Sequence, residues 1–249
     1  SRAINLDGTR FLIEQCRVRG GGIRRFVFLS SQSAHEAAIS AYGITKREGE
    51  KLIRESGIPY AILRPGLVFG PGRQGLFYRM RSTVRRLPVL PLLGGGRAVV
   101  QPIDVEDLAE AMLRCLELPE GESADFNLGE PEGMSLRAFL QAIAMAERGK
   151  RKLQLTVPLG PIKAAVAVGE ALRLPLPISG DNIRGMEMVR RMETAPSLER
   201  LGLRLKPFGE AMREAVQDRA APPSAAPLRM LLIGAGKIGI VRPLNLMQR

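Results

Sequence analysis

Short apolar runs alternate with helix-length amphipathic segments over the first part of this chain, and this alternation restricts its fold more than any other feature. Residues Phe26 to Leu29 and Tyr60 to Gly72 have the composition of buried strands, the second stopping in a loop of Pro and Gly. Residues Asn5 to Arg19 and Tyr42 to Glu55 have the apolar spacing of helices. Alternation at this spacing predicts βαβ units, a parallel sheet and an α/β, Rossmann-like fold.

Further helices are predicted downstream. Asp104 and Ser135 stand at N-cap positions in front of apolar stripes. The piece from Leu198 to Val216 is α-rich, and we expect it to belong to a smaller C-terminal substrate or lid region. The apolar stretch Ile162 to Leu174 has 13 residues, which is too short to span a bilayer. A lid helix is predicted there, with a membrane-surface helix as the competing interpretation.

Charge and cysteine content narrow the classes of function. The 249 residues include 37 Lys and Arg against 25 Asp and Glu, and the net charge of +12 favours anionic partners such as nucleotide phosphates. We expect no nucleic acid partner, because the cations are spread along the chain and Trp is absent. Cys16, Cys115 and the single histidine, His35, indicate neither a disulfide framework nor a metal site. A cytoplasmic setting without membrane association is therefore predicted.

Tyr42 and Lys46 carry the main chemical signal. Because they are four residues apart in a predicted helix, they lie one turn apart on the same face. A neighbouring ammonium lowers the pKa of a phenol, so this pair predicts an acid or base that works near neutral pH. Ser31, at the end of the preceding strand, is placed to hydrogen-bond a reacting oxygen. The competing interpretation is a Lys that extends to solvent beside a half-buried Tyr.

Several motifs resemble those of the extended and atypical short-chain dehydrogenases, which are NAD(P)-dependent epimerases, dehydratases and reductases. NLDGT resembles the family's N-x-x-G-T helix start, RFVFLSS its central strand, and YGITK its Tyr and Lys pair. LRPGLVFGPG resembles the strand and loop beside the nicotinamide, and IDVEDLAEAM a later helix. These motifs follow the family's order over about residues 3–145. The resemblance implies a Rossmann-like fold and NAD or NADP as cofactor.

The resemblance also implies roles for individual residues. Tyr42 would be the catalytic acid or base, and Lys46 would lower its pKa and hold the nicotinamide ribose. Ser31 would orient the reacting oxygen, and Asn5 would complete a proton relay. The alternatives to Ser31 that stay open are Ser30 and Ser33.

Other positions have two interpretations each. The resemblance implies that backbone faces the nicotinamide at Pro65, Gly66 and Val68. A tight strand exit would need the same residue types. Three arginines are candidates for a substrate diphosphate, with solvated surface as the competing interpretation: Arg73, Arg79 and Arg97.

The end of the chain contains a G-x-G-x-x-G pattern formed by Gly234, Gly236 and Gly239. This pattern opens dinucleotide-binding βαβ units, and GAGKIGIVRPLNLMQR resembles the start of the glucose-fructose oxidoreductase and inositol dehydrogenase family. We therefore expect a short-chain dehydrogenase-like body at 1–217, a Pro-rich linker at 218–227 and the beginning of a second dinucleotide-binding domain at 228–249. The body is expected to be truncated at its N-terminus, because NLDGT occurs without the family's glycine turn before it.

These features lead to two hypotheses of function. The first assigns to the parent protein the activity of an NAD(P)-dependent oxidoreductase, epimerase or dehydratase acting on a nucleotide sugar or a similar alcohol or carbonyl compound. This chain by itself is expected to be inactive and to bind NAD(H) and NADP(H) poorly, and a homodimer of the parent protein is left open. The second is a non-catalytic NAD(P)H-binding or assembly module resembling the accessory subunit of respiratory complex I, because the region 150–200 has little pattern.

Overall fold

The computed structural model describes residues 6–18, 23–158, 160 and 190–217. Its helices are α1 (Gly8–Val18), α2 (Ala41–Arg54), α3 (Gly75–Arg86), α4 (Val105–Arg114), α5 (Leu136–Arg148), α6 (Ala195–Arg200) and α7 (Phe208–Ala215), with short 3-10 turns at Gly94–Gly96 and Cys115–Glu117. Its strands are β1 (Phe26–Leu29), β2 (Tyr60–Pro65), β3 (Leu67–Phe69), β4 (Val89–Leu93), β5 (Val99–Val100), β6 (Pro102–Asp104), β7 (Ala124–Leu128), β8 (Met134–Ser135) and β9 (Leu153–Val157).

Several predictions concern residues outside the described ranges. They are the proton-relay residue Asn5, the lid segment Ile162 to Leu174, the linker at 218–227 and the terminal glycines Gly234, Gly236 and Gly239. Among the helices that are described, none combines the length and the hydropathy needed to cross a membrane.

The main sheet is parallel and has the strand order β1–β2–β7, which confirms the predicted Rossmann-like α/β fold. Phe28 pairs with Ile62, and Leu63 pairs with Phe126. Every residue of β1 is buried, as a strand covered by helices on both faces requires. Because β1 and β2 are parallel, their carboxyl ends lie at the same edge of the sheet.

Helices cover both faces of this sheet. On one face, Phe28 and Ile62 pack with Ile13 of α1 and Ile53 of α2. The other face packs against α4 and the segment around α6, in a core that includes Val27, Leu29, Ala61, Leu63, Leu108, Met112, Leu198 and Leu201. Full burial of one such side chain is worth about 1.5–3 kcal/mol, so both layers hold the end of β1 in place.

The single strand predicted over Tyr60 to Gly72 is two strands in the structure. The chain changes partner at Gly66, whose N–H donates to the Leu128 carbonyl at 2.8 Å. The next N–H, that of Leu67, donates to the Gln101 carbonyl at 3.0 Å, so β3 pairs with β6 rather than with β7. A Cβ at Gly66 would lie 2.1 Å from the Gln101 carbonyl oxygen, so this close approach requires glycine.

A second core lies around four phenylalanine rings from β3, α3, α5 and α7. Their centroids are 5.7–6.2 Å apart, in tilted or edge-to-face arrangements. The rings belong to Phe69, Phe77, Phe139 and Phe208. Three two-stranded sheets, β3–β6, β4–β9 and β5–β8, accompany this core. The smaller region predicted at the C-terminal side thus also draws on strands and helices from the middle of the chain.

Side-chain caps fix the starts of three helices. Asp104 and Ser135 accept backbone N–H bonds at 2.8 and 3.1 Å, which confirms both predicted N-caps. Ser40 caps α2 by accepting the N–H of Gly43 at 3.1 Å. The first turn of α2, which contains Tyr42, is therefore held by its own cap.

Candidate active site

Tyr42 and Ser31 meet at the carboxyl end of β1. Tyr42 lies in the first turn of α2, and Ser31 lies in the loop that follows β1. A side-chain hydrogen bond joins the two hydroxyl groups. Burial raises the pKa of Tyr42 above its ordinary value, and the hydrogen bond with Ser31 acts in the opposite direction by stabilising the phenolate. Tyr42 is thus a protonated phenol at neutral pH, with Ser31 favouring its ionised form.

Lys46 is completely buried, with 0% of its surface exposed. Its Nζ donates to the Leu29 carbonyl oxygen at 2.8 Å and lies 5.3 Å from the centroid of the Phe28 ring and 6.0 Å from that of Tyr42. The ammonium therefore does not extend to solvent. This contradicts the competing interpretation, in which Lys46 extends to solvent beside a half-buried Tyr42. Burial lowers the pKa of Lys46 to about 8, and the charge of Glu50 opposes this shift.

The predicted lowering of the Tyr42 pKa by Lys46 differs from what the structure shows. Desolvation of the phenol is the largest influence and raises its pKa, and Ser31 is the group that lowers it. The physical reason is that the burial of Tyr42, which the spacing of two residues in a helix does not reveal, outweighs the attraction of a nearby cation.

Ser31 is the serine that the structure brings to Tyr42. Ser30 is buried, and its Oγ donates to the Glu50 carboxylate at 2.5 Å rather than meeting Tyr42. Ser33 donates its backbone N–H to the Ser31 Oγ at 3.2 Å. Ser30 and Ser33 are therefore neighbours that hold Ser31, and neither replaces it.

Gly43 allows this serine loop to approach α2. A Cβ at Gly43 would lie 2.3 Å from the Ser33 carbonyl oxygen and 3.1 Å from the Ala38 Cβ. Any side chain at this position would push the loop away from the first turn of the helix. The glycine inside YGITK thus serves the contact between Ser31 and Tyr42.

A buried ion-pair network lies one turn beyond Lys46 on α2. Glu50 is 1% exposed and accepts from Arg64 Nε at 2.7 Å and from Arg64 Nη2 at 2.5 Å. Arg54 reaches Glu50 at 3.2 Å, and both arginines also bind Asp125. Sequence reasoning missed this network. The available signal was Glu50 itself, which continues the four-residue spacing of Tyr42 and Lys46 on one helix face.

The backbone at Pro65 and Gly66 has partners of its own. The Pro65 carbonyl accepts the N–H of Gln32 at 3.0 Å, and Gly66 is required by its contact with Gln101. Val68 is half-buried in β3. These contacts match the strand-exit interpretation, and contact with a nicotinamide stays a prediction for all three residues.

The segment Arg190 to Thr194 crosses the edge of the sheet near Ser31. Gln32 donates to the Arg190 carbonyl at 2.6 Å. Gln101, which is 0% exposed, binds Met192 twice, accepting its N–H at 2.7 Å and donating to its carbonyl at 2.9 Å. This crossing segment, residues 190–194, therefore lies beside the candidate site. The sequence did not indicate this, because the contacts of the segment with Gln32 and Gln101 span more than ninety residues.

The remaining candidates lie apart from this arrangement. The three arginines proposed for a diphosphate are exposed: Arg73, Arg79 and Arg97. Both cysteines are free thiols. Within the described ranges, no three His, Cys, Asp or Glu side chains come together in a way that could hold a metal ion.

The donor set fits a nicotinamide nucleotide. Two hydroxyl groups and a buried ammonium stand together at the carboxyl edge of parallel strands, where α/β sheets bind ligands. Tyr42 and Lys46 are the residues that would hold the ribose and the reacting end. At this edge the described residues thus offer two hydroxyl groups and one ammonium to such a cofactor, and its binding there stays a prediction.

Comparison with known proteins identifies the family of this chain. The sequence profile described as NAD dependent epimerase/dehydratase family matches residues 2–129. An uncharacterised protein of Sinorhizobium fredii is 30% identical over 190 residues, which are 69% of this chain and 46% of that protein. UDP-glucose 4-epimerase of Vibrio cholerae is 25% identical over 177 residues, 64% of this chain and 53% of that protein. Subunit 9 of the mitochondrial NADH dehydrogenase 1 alpha subcomplex of Arabidopsis thaliana is 24% identical over 70% of this chain and 44% of the subunit.

Solved structures agree on the fold. UDP-glucose 4-epimerase of Thermotoga maritima, determined with UDP-glucose, has a TM-score of 0.63 and 22% identity, covering 87% of this chain and 69% of that one. The enzyme of the same name from Thermus thermophilus, determined with NAD, has a TM-score of 0.59 and 24% identity, covering 86% and 69%. The chain spans about half the length, or less, of the curated relatives it matches. With the family profile covering just over half of its residues, the chain belongs to the NAD-dependent epimerase/dehydratase family.

Proposed function

We propose that this chain carries the Ser31, Tyr42 and Lys46 chemistry of an NAD(P)-dependent oxidoreductase, epimerase or dehydratase. The observation that carries the proposal is the hydrogen bond between Ser31 and Tyr42 above a fully buried Lys46. The proposed substrate is a nucleotide sugar or a similar alcohol or carbonyl compound, in line with the UDP-glucose 4-epimerases among the similar proteins.

Each side chain has one task in this proposal. The Tyr42 hydroxyl gives a proton to the substrate oxygen when a carbonyl is reduced and takes one when an alcohol is oxidised. Ser31 orients that oxygen and stabilises the charge that develops on it. The Lys46 ammonium holds the ribose. When bound, the nicotinamide supplies the site that accepts or donates hydride.

The raised pKa of Tyr42 makes proton donation the easier direction. A phenol that is protonated at pH 7 is ready to act as an acid, whereas its use as a base requires stabilisation of the phenolate. Ser31 provides this through its hydrogen bond. Ser31 is therefore expected to matter most for alcohol oxidation.

Replacement of one hydroxyl group tests the proposal. In the parent protein, Tyr42→Phe removes the proton but keeps the ring, so turnover of UDP-glucose or related UDP-sugars with NAD should fall about 100-fold or more. Tyr60→Phe, at the amino end of β2, is the matched control and should leave turnover unchanged. Chromatography of the UDP-sugars and the ultraviolet absorbance of NADH measure the outcome. Equal turnover in Tyr42→Phe and the native chain would remove Tyr42 from the chemistry.

The alternative proposal is a non-catalytic NAD(P)H-binding or assembly module. This alternative is favoured by the Arabidopsis NADH dehydrogenase subunit, which is 24% identical to this chain over 70% of its residues. Both proposals expect dinucleotide binding, and only the first expects turnover. Calorimetric binding of NADH without conversion of any UDP-sugar or related alcohol would favour the module.

The domain division and the location are also proposals. The division into 1–217, 218–227 and 228–249 rests on the Pro-rich composition of the middle piece and on the glycine pattern of the last. Deletion of residues 228–249 tests it, because a separate unit would leave the melting temperature of the remainder unchanged. A lower melting temperature would instead show that the last piece packs on the body. The cytoplasmic setting stays a prediction that localisation of a tagged protein can test.

A further inference from the structure

Glu50 is a buried carboxylate with an unusually complete set of donors. Ser30 Oγ, two nitrogens of Arg64 and one of Arg54 lie 2.5–3.2 Å from its two oxygens. Buried ion pairs add little net stability on average, because desolvation of the charges offsets their attraction. Position beside Tyr42 and Lys46 is therefore a better explanation of this network than stability alone.

One connection runs from Glu50 through the backbone to Ser31. Ser30 is anchored by its side chain to Glu50 at 2.5 Å and by its backbone N–H to the Leu63 carbonyl at 2.7 Å. The residues on either side of Ser30 are Leu29, whose carbonyl accepts Lys46, and Ser31, which binds Tyr42. Fixing Ser30 therefore fixes both backbone neighbours that contact the pair.

A second connection is electrostatic. Glu50 lies one helical turn after Lys46, and its negative charge favours the protonated form of that buried amine against the effect of burial. The other ionisable groups around this pair are Tyr42 and Arg54 on α2, Arg64 on β2 and Asp125 on β7. The charge of Glu50 acts directly on the Lys46 ammonium.

We propose that Glu50 is a positioning residue of the Ser31, Tyr42 and Lys46 site: its carboxylate anchors Ser30 at the end of β1 and supplies the negative charge one helical turn from the buried ammonium. The meaning of this role for catalysis rests on the proposed function. The effects of Glu50 on Lys46 and on the loop containing Ser31 do not depend on turnover.

Titration of Lys46 by NMR of isotope-labelled lysine tests the electrostatic connection. The Lys46 resonance is assigned by its loss in Lys46→Met and is expected to titrate at about 8. In Glu50→Gln this midpoint should fall by about one pH unit or more, a tenfold weaker binding of the proton. The matched control is Glu55→Gln at the C-cap of α2. The Glu55 side chain is 60% exposed, so this change should leave the midpoint of Lys46 unchanged. An unchanged midpoint in Glu50→Gln would overturn the proposal.

Ser30→Ala tests the anchoring connection and serves also if Glu50→Gln does not fold. It keeps the carboxylate and both arginines, so the Lys46 midpoint should stay while the contact between Ser31 and Tyr42 loosens. Since that contact lowers the pKa of Tyr42, ultraviolet titration of tyrosine should show a higher midpoint for Tyr42, assigned with Tyr42→Phe. An unchanged Tyr42 midpoint would overturn the anchoring role.

These titrations need neither cofactor nor substrate, so they separate the two proposals. A parent protein without turnover, together with a shift of Lys46 in Glu50→Gln, would contradict the proposed function and support the role of Glu50. A parent protein with Tyr42-dependent turnover and no effect of Glu50→Gln on Lys46 would contradict the role of Glu50 alone.

Discussion

The ammonium of Lys46 donates to the Leu29 carbonyl oxygen at 2.8 Å, so a fully buried cation on α2 is bound directly to the last residue of β1. This bond places Lys46 beneath Tyr42, 6.0 Å from its ring centroid. The geometry of the candidate site therefore depends on the position of the end of β1, and Lys46 responds to changes there.

Lys46 should make stability depend on alkaline pH. Its pKa is lowered from 10.5 to about 8 in the folded chain, so the unfolded chain binds more protons between these values. Stability rises with pH wherever the unfolded state binds more protons, so burial of Lys46 costs stability below pH 8 and this cost is relieved as the pH rises toward 10.5. The full effect is at most about 3 kcal/mol.

Urea unfolding at several pH values measures this contribution. The native chain should gain stability relative to Lys46→Met as the pH rises above about 8. Lys51→Met is the control, because the Lys51 side chain is 74% exposed, and its difference from the native chain should not change with pH. A difference between the native chain and Lys46→Met that is the same at every pH would contradict the prediction.

Gly43→Ala should destabilise the chain although alanine is the better helix former. Helix propensity favours alanine by about 1 kcal/mol, but a Cβ would lie 2.3 Å from the Ser33 carbonyl oxygen. Overpacking of this kind costs about 1–3 kcal/mol, so the melting temperature should fall. Gly209→Ala in α7 has no atom within 4 Å of its Cβ and should leave the melting temperature equal or higher. Equal melting temperatures for both variants would contradict the prediction and show that the loop containing Ser33 can move away from α2 at little cost.

Gln101→Leu should release the crossing segment, residues 190–194, from the edge of the sheet. Leucine has a similar volume but cannot accept the Met192 N–H, which Gln101 binds at 2.7 Å. A hydrogen bond of this kind contributes about 0.5–1.5 kcal/mol, so hydrogen exchange at the half-buried Met192 amide should accelerate, by up to about tenfold. Gln74→Leu, at an exposed helix start without a side-chain cap bond, is the control and should not change this exchange. Unchanged exchange in Gln101→Leu would mean that other contacts hold the segment.

Arg64→Met should be among the most destabilising single changes in the main sheet. It removes two hydrogen bonds at 2.7 and 2.5 Å and leaves the buried Glu50 charge partly uncompensated. Loss of one partner of a buried ion pair costs about 3–5 kcal/mol. Arg86→Met, at the exposed end of α3, should change the free energy of unfolding by less than about 0.5 kcal/mol. Similar values for the two variants in urea unfolding would contradict a structural role for the Glu50 and Arg64 pair.

The sequence by itself determined the parts of this protein that depend on local pattern. The apolar run Phe26 to Leu29 between helical segments predicted a parallel sheet covered on both faces, and the structure confirms it. Asp104 and Ser135 were identifiable as N-caps because a cap acts within three residues of its own position. Tyr42 and Lys46 were placed on one face because the helix repeat alone decides this.

Tertiary structure decided what depends on partners distant in the chain. Glu50 binds Arg64, 14 residues away, and Gln101 binds Met192, 91 residues away, and no local pattern reports such pairs. The direction of the Tyr42 pKa was predicted wrongly because burial, which several elements create together, outweighs a neighbouring charge. The change of strand partner at Gly66 was not predicted, for the same reason. The residues of one strand do not show which neighbour it pairs with, because the packed sheet decides this.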